Sequence, residues 1–158
     1  MLFKRLIISG LFILLASTNG ESLVNYYSEW KYFEGRTEPS IPHTAWKQLN
    51  FDDSDWKSGP SGFSVGFGSY NAPTKLQGMP GEYSSVYLRK VFDIDDIDWI
   101  KSLILRVDYD DGFVAYINGK EVVRRGLEGE TNKHVPFNSL ATLHQRGNPE
   151  LIDITQFK

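Results

Sequence analysis

The stretch Leu103–Arg124, LILRVDYDDGFVAYINGKEVVR, alternates its side chains at the two-residue period of a β-strand. Leu103, Leu105, Val107 and Tyr109 alternate with Ile104, Arg106 and Asp108. Asp110-Asp111-Gly112 then supplies a turn, and Phe113 to Ile117 a second strand. Asn118-Gly119 is a two-residue loop whose residues accept the positive φ angles of a tight hairpin. The reading is a β-meander of three short antiparallel strands, which sets the fold class as all-β.

Outward from this stretch the chain keeps to short strands and loops. Ser28 to Phe33 reads as a first strand. Pro39, Pro42, Pro60, Pro73 and Pro80, with glycines at 59, 62, 66, 68, 78 and 81, interrupt Glu38 to Glu82 too often for long helices. Asp95-Asp96 ahead of Ile97, Trp99 and Ile100 suggests one helical turn between Asp93 and Ser102. Leu127 to Pro149 reads as loop, and neither an internal repeat nor a low-complexity tract is found.

The N-terminus has a different character. Lys4 and Arg5 precede an apolar run of ten residues, Leu6 to Leu15, and a small, polar stretch from Ala16 to Gly20 suited to cleavage before Glu21. That is the pattern of a secretory signal peptide. A membrane anchor needs about 20 apolar residues, so the run is too short for one. The expected organisation is residues 1–20 as signal peptide, 21–27 as a short linker and 28–158 as one domain, with residues 21–158, 138 in all, left after cleavage. Setting aside Lys4 and Arg5 leaves 15 basic against 20 acidic residues, which gives no electrostatic reason to bind nucleic acid or an anionic membrane. The chain has no cysteine, so the exported domain must be stabilised by its hydrophobic core without disulfides.

Several segments carry a resemblance. Tyr109-Asp110-Asp111-Gly112 followed by Val114-Ala115-Tyr116-Ile117-Asn118-Gly119-Lys120-Glu121-Val122 resembles the central strands of galactose-binding-like modules, the β-sandwich jelly rolls attached to many secreted bacterial proteins. Phe51-Asp52-Asp53-Ser54-Asp55-Trp56, Gly62-Phe63 and Gly66-Phe67-Gly68 resemble the opening of such modules, and Val86 to Phe92 the strand leading to the centre. Leu151 to Lys158 resembles the approach to the closing strand. The resemblance implies an antiparallel β-sandwich, secreted, periplasmic or at the cell surface. It also implies a last strand lying beyond Lys158, so that the domain is incomplete here and part of a longer polypeptide or of a strand-donation pair; the other reading makes Leu151 to Phe157 the closing strand. Such modules bind sugars in some proteins and act as spacers in others.

No catalytic constellation is found. Counting from Asp108 as a calcium-loop start, Gly112 falls fifth and Gly119 twelfth, against the sixth-position glycine and twelfth-position glutamate of an EF-hand. Asp110 and Asp111 are adjacent in a turn rather than facing across a cleft as a glycosidase pair must. Asp52, Asp53 and Asp55 read as a solvated turn with Trp56 packed inward. His43, His134 and His144 are spaced without any metal-ligand pattern. Neither a nucleophile elbow nor a phosphate-binding loop is present. Neither a catalytic nor a metal-ligating residue is expected, nor a cofactor; a structural calcium ion stays open.

What remains is aromatic and hydrogen-bonding surface: 4 Trp, 8 Tyr and 10 Phe. Sugars stack on flat apolar rings beside groups that hydrogen-bond their hydroxyls. Tyr70, Asn71 and Trp99 are the expected loop contacts, with Arg124, Arg125 and Asn132 adding polar ones. Arg89, inside a strand, is expected to pair with an aspartate instead. The functional expectation is a non-catalytic carbohydrate-binding or accessory module, with a structural spacer or protein-interaction domain as the alternative.

Overall fold

The computed structural model describes residues 22–65 and 72–158, and the backbone of two earlier strands within the expected leader. The strands are β1 (Lys4–Arg5), β2 (Ile13–Ser17), β3 (Glu29–Glu34), β4 (Lys57–Pro60), β5 (Phe63–Ser64), β6 (Thr74–Lys75), β7 (Val86–Arg89), β8 (Asp93–Ile94), β9 (Leu103–Val107), β10 (Phe113–Ile117), β11 (Lys120–Arg125) and β12 (Glu150–Asp153). Helical structure among the described residues is confined to three single 3-10 turns, at Ala45–Lys47, Ile97–Trp99 and Thr155–Phe157. The turn at Ile97–Trp99 starts as expected, with the Asp96 carboxylate accepting the Asp98 N–H at 2.9 Å.

The fold is all-β. Two three-stranded antiparallel sheets run in the orders β4-β3-β7 and β12-β9-β2; β10 and β11 form an antiparallel hairpin, and the short β5 and β6 pair in parallel. Asn118 and Gly119 close the hairpin with φ of 49° and 82°, the double positive φ required by that turn. A register shift between Ala115 and Tyr116 marks a bulge in the same hairpin.

The expected meander is corrected at its first connection. β9 pairs with β12 on one side and β2 on the other, and its chain neighbour β10 pairs with β11. Asp110-Asp111-Gly112 is therefore a crossing between sheets, in which Asp111 takes φ 66°. The two-residue period reports that each strand buries one face and is silent about which sheet that strand joins.

Alternation places two apolar clusters on the two faces of the same strands. Trp30, Leu88, Ala115 and Ile117 face the main core with Leu103, Leu105 and Val107 of β9. The β9 trio is 0% exposed. Phe33, Tyr87, Val114 and Tyr116, one residue out of phase, face away from that core and are covered by the loop between β3 and β4, whose Trp46, Phe51 and Trp56 pack onto them. Trp56 points inward, as expected from its acidic turn, where the Ser54 N–H donates to Asp52 Oδ1 at 3.0 Å.

Candidate functional site

The outer aromatic cluster opens into a groove of about 700 Å³. Its floor is built by β7 and β10, which present Tyr87, Val114 and Tyr116, and by the loop that carries Trp46. Trp46 stands nearly perpendicular to Tyr87, with ring centroids 4.9 Å apart, and to Tyr116 at 5.6 Å. Edge-to-face contact of this kind matches a positive ring edge to a negative ring face, so it fixes ring orientation as well as filling space. Trp46 and Tyr116 are each only 6% exposed, whereas Tyr87 is half-buried.

The position of Trp46 depends on Arg89. This guanidinium, at the end of β7 and 1% exposed, donates to Asp53 Oδ2 at 2.7 Å. It also donates to the carbonyls of Trp46, of Gln48 at 3.1 Å and of Phe51 at 3.4 Å. One fixed fork of donors thereby gathers the loop from Trp46 to Asp53: it serves the Trp46 and Phe51 carbonyls and shares the Gln48 carbonyl with the Phe51 N–H. The expectation of an arginine–aspartate pair is met, and the pair has the added role of positioning an aromatic residue in the groove.

The rim is polar. His43 and His134 lie ring over ring, centroids 3.9 Å apart, and His134 Nε2 is 3.0 Å from Glu38 Oε1. Glu38 also accepts the Phe137 N–H at 3.1 Å, and Ser85 Oγ donates to the Phe137 carbonyl, so the loop between β11 and β12 is tied down as one wall of the groove. Lys47 Nζ sits 4.3 Å from the centroid of the Tyr116 ring. Burial lowers the Lys47 pKa below its ordinary 10.5, against the opposing pull of Glu121. Burial raises the Tyr116 hydroxyl to about 12, with Glu121 adding to the rise. Tyr87 shifts upward for the same first reason. The groove's phenols among the described residues, Tyr87 and Tyr116, are therefore neutral hydrogen-bonding groups at physiological pH.

The residues expected from sequence to bind are dispersed. Tyr70 and Asn71 lie outside the described residues. Trp99 is 75% exposed on its 3-10 turn and is not part of the groove lining. Arg124 forms a two-pronged pair with the buried Glu121 at 2.9 Å for each prong, and donates to the Glu128 and Lys133 carbonyls at 2.9 Å. Asn132 borders the groove while its backbone N–H donates to Glu121 Oε2 at 2.7 Å. Arg125 pairs with Glu150 at 3.0 Å. The two arginines thus serve the framework, and only Asn132 of the described set reaches the groove.

Sequence reading missed Trp46, Tyr87, Tyr116 and the His43–His134 stack. The available signal was the period in β7 and β10: Tyr87 and Tyr116 are out of phase with the core residues Leu88 and Ala115, so each had to face a second layer. Among the described residues no group of three or more His, Asp or Glu is arranged to hold a metal ion, and no helix is long and apolar enough to cross a membrane. No protein-family model matches the chain, nor does any curated protein or solved structure.

Proposed function

We propose that the chain is a non-catalytic accessory module of an exported protein, built on a galactose-binding-like jelly roll, that docks glycans in the groove beside Tyr87. The observation carrying this reading is the combination of ring surfaces with hydrogen-bonding groups around one groove. Tyr87, His43 and His134 supply rings, while Lys47, Asp111 and Asn132 supply donors and acceptors for hydroxyls. Binding would raise the local concentration of an attached domain near its substrate. The partners in this reading are a glycan and further domains of a longer polypeptide, at a secreted, periplasmic or cell-surface location; the reading needs no cofactor.

A second reading, a spacer or protein-interaction domain, is favoured by Leu140 and Leu143, which are 80% and 88% exposed on the groove-wall loop. Isolated exposed leucines are common on soluble domains, so this reading ranks second.

Glycan-array binding separates the two. His43→Ala and His134→Ala alter exposed rim residues and leave the Trp46 cluster in place. Each is expected to weaken binding by about tenfold, roughly 1.4 kcal/mol. A folded chain that binds no glycan, or binds one equally well after both substitutions, removes the groove from the mechanism.

A further inference from the structure

The backbone of β2, residues Ile13–Ser17, runs antiparallel along β9 in the register Ile13↔Val107 to Ser17↔Leu103. These five residues belong to the stretch that reads as a cleavable leader. β9 supplies Leu103, Leu105 and Val107 to the main core, all 0% exposed. A strand so deep in the fold therefore takes one of its two neighbours from the segment that the export reading assigns to the cleavable leader.

The polarity of the β9 backbone shows what removal leaves. The Leu103 N–H donates to Thr155 Oγ1 at 2.8 Å, and the Leu103 carbonyl accepts the Ile154 N–H at 2.9 Å, so both groups of Leu103 point toward the β12 side. In an antiparallel ladder the N–H and C=O of one residue point to the same side, and successive residues alternate. Leu105 and Val107 therefore also serve β12, and Ile104 and Arg106 direct their N–H and C=O toward β2. Ala16 stands opposite Ile104, and Leu14 opposite Arg106. Cleavage strands two donors and two acceptors beside the core, the template that pairs with another strand.

We propose that the β9 edge is a strand-acceptor site, held by the leader until cleavage and then open to an extended apolar segment of another polypeptide running antiparallel to β9. The strand seated there defines the chemistry: Ile-Leu-Leu-Ala-Ser, five residues without a charge. Main-chain hydrogen bonds to Ile104 and Arg106 give affinity, and the apolar composition suits the edge of a core. The proposal rests on the export reading only for the cleavage itself, and its test uses no glycan.

Amide hydrogen exchange on the full chain reads the edge directly. Leu14→Pro removes an N–H that the ladder needs, whereas Leu15→Pro removes one that points away from β9. Leu14→Pro is expected to lower protection at Ile104 and Arg106 by about a hundredfold while Leu105 stays protected, and Leu15→Pro to spare all three. Equal protection at Ile104 and Arg106 in wild type and Leu14→Pro overturns the proposal. Should Leu14→Pro fail to fold, a synthetic peptide of residues 11–19 added in trans must restore protection; no restoration overturns it. In the second arm, the chain carries a protease site after Gly20, is cleaved once folded, and is offered labelled peptide 11–19. Uptake of that peptide, and not of its Leu14→Pro version, supports the acceptor site. No uptake, or assembly of the cleaved chain into dimers that exclude the peptide, overturns the assignment of the occupant.

Discussion

Replacing Asp53 with alanine isolates the charge that organises the groove. Breaking a buried ion pair by removing one partner costs about 3–5 kcal/mol, because the other charge is left uncompensated. Here the guanidinium is 1% exposed and the carboxylate 21%, so water screens the pair from one side. The stranded Arg89 also keeps the Trp46, Gln48 and Phe51 carbonyls as acceptors. Both facts bring the expected loss down to the bottom of that range and below it, about 2–3 kcal/mol. At a urea slope of about 2 kcal/mol per molar, the unfolding midpoint falls by about 1–1.5 M. Tryptophan fluorescence is the assay, since Trp46 and Trp56 sit in the affected cluster. Arg89→Met is expected to be at least as harmful, because it also leaves the Trp46 and Phe51 carbonyls without the Arg89 donor, while Gln48 keeps only the Phe51 N–H. The double variant should be no worse than Arg89→Met alone, since Asp53 can hydrate once its partner is gone. A loss under about 0.5 kcal/mol for Asp53→Ala, or simple additivity in the double variant, would refute the role given to this pair.

Three further outcomes are expected. Glu121→Ala leaves the Arg124 guanidinium, whose side chain is 10% exposed, without its two-pronged partner, and should cost about 3–5 kcal/mol by urea unfolding. Gly126→Ala sets a side chain on a residue with φ +68°, with its Cβ 2.6 Å from the Asp111 carbonyl oxygen, and should cost about 1–3 kcal/mol by thermal melting. Glu150 is held below its ordinary pKa of 4.5, chiefly by the Tyr109 hydroxyl and then by Arg125, with burial opposing. A depressed folded-state pKa contributes stability that is present above pH 4.5 and lost as pH falls through the lower value, so Glu150→Gln should flatten the acid limb of the stability curve below that pH. An acid limb unchanged by the substitution would rule out this linkage.

The parts of the fold legible in the sequence are those decided within a few residues. Asn118-Gly119 specifies its own turn geometry, Asp96 caps the turn that follows it, and Asp52 folds back on Ser54; none needs the rest of the chain. Arg89 was legible as an ion-pair partner because a charge inside a strand requires one, although its grip on three distant carbonyls was not. The sheet assignment of β9 and β10 was hidden because a strand buries the same alternate residues whichever sheet it joins. The groove was hidden for a related reason: His43 and His134 belong to separate loops, and their stacking follows from how Glu38 and Ser85 hold the second loop against the first. Trp46 looks like any loop tryptophan until the acceptors around Arg89 are counted.

The stretch from Leu127 to Pro149 contains no strand or helix, yet it is fastened along its length. Thr142 donates its N–H to the Gly126 carbonyl at 2.7 Å, the His144 ring stacks on Tyr109 at 4.1 Å, and Gly147 donates to Asp108 Oδ1 at 2.7 Å. Irregular chain held by such spaced anchors separates the task of shaping a surface from that of keeping the fold. Residues between the anchors, such as Ser139, Leu140 and Ala141 on the groove wall, can be exchanged without disturbing a single sheet hydrogen bond. The same framework is therefore open to re-specification: a library confined to that wall would sample new ligands while every member inherits one stable scaffold.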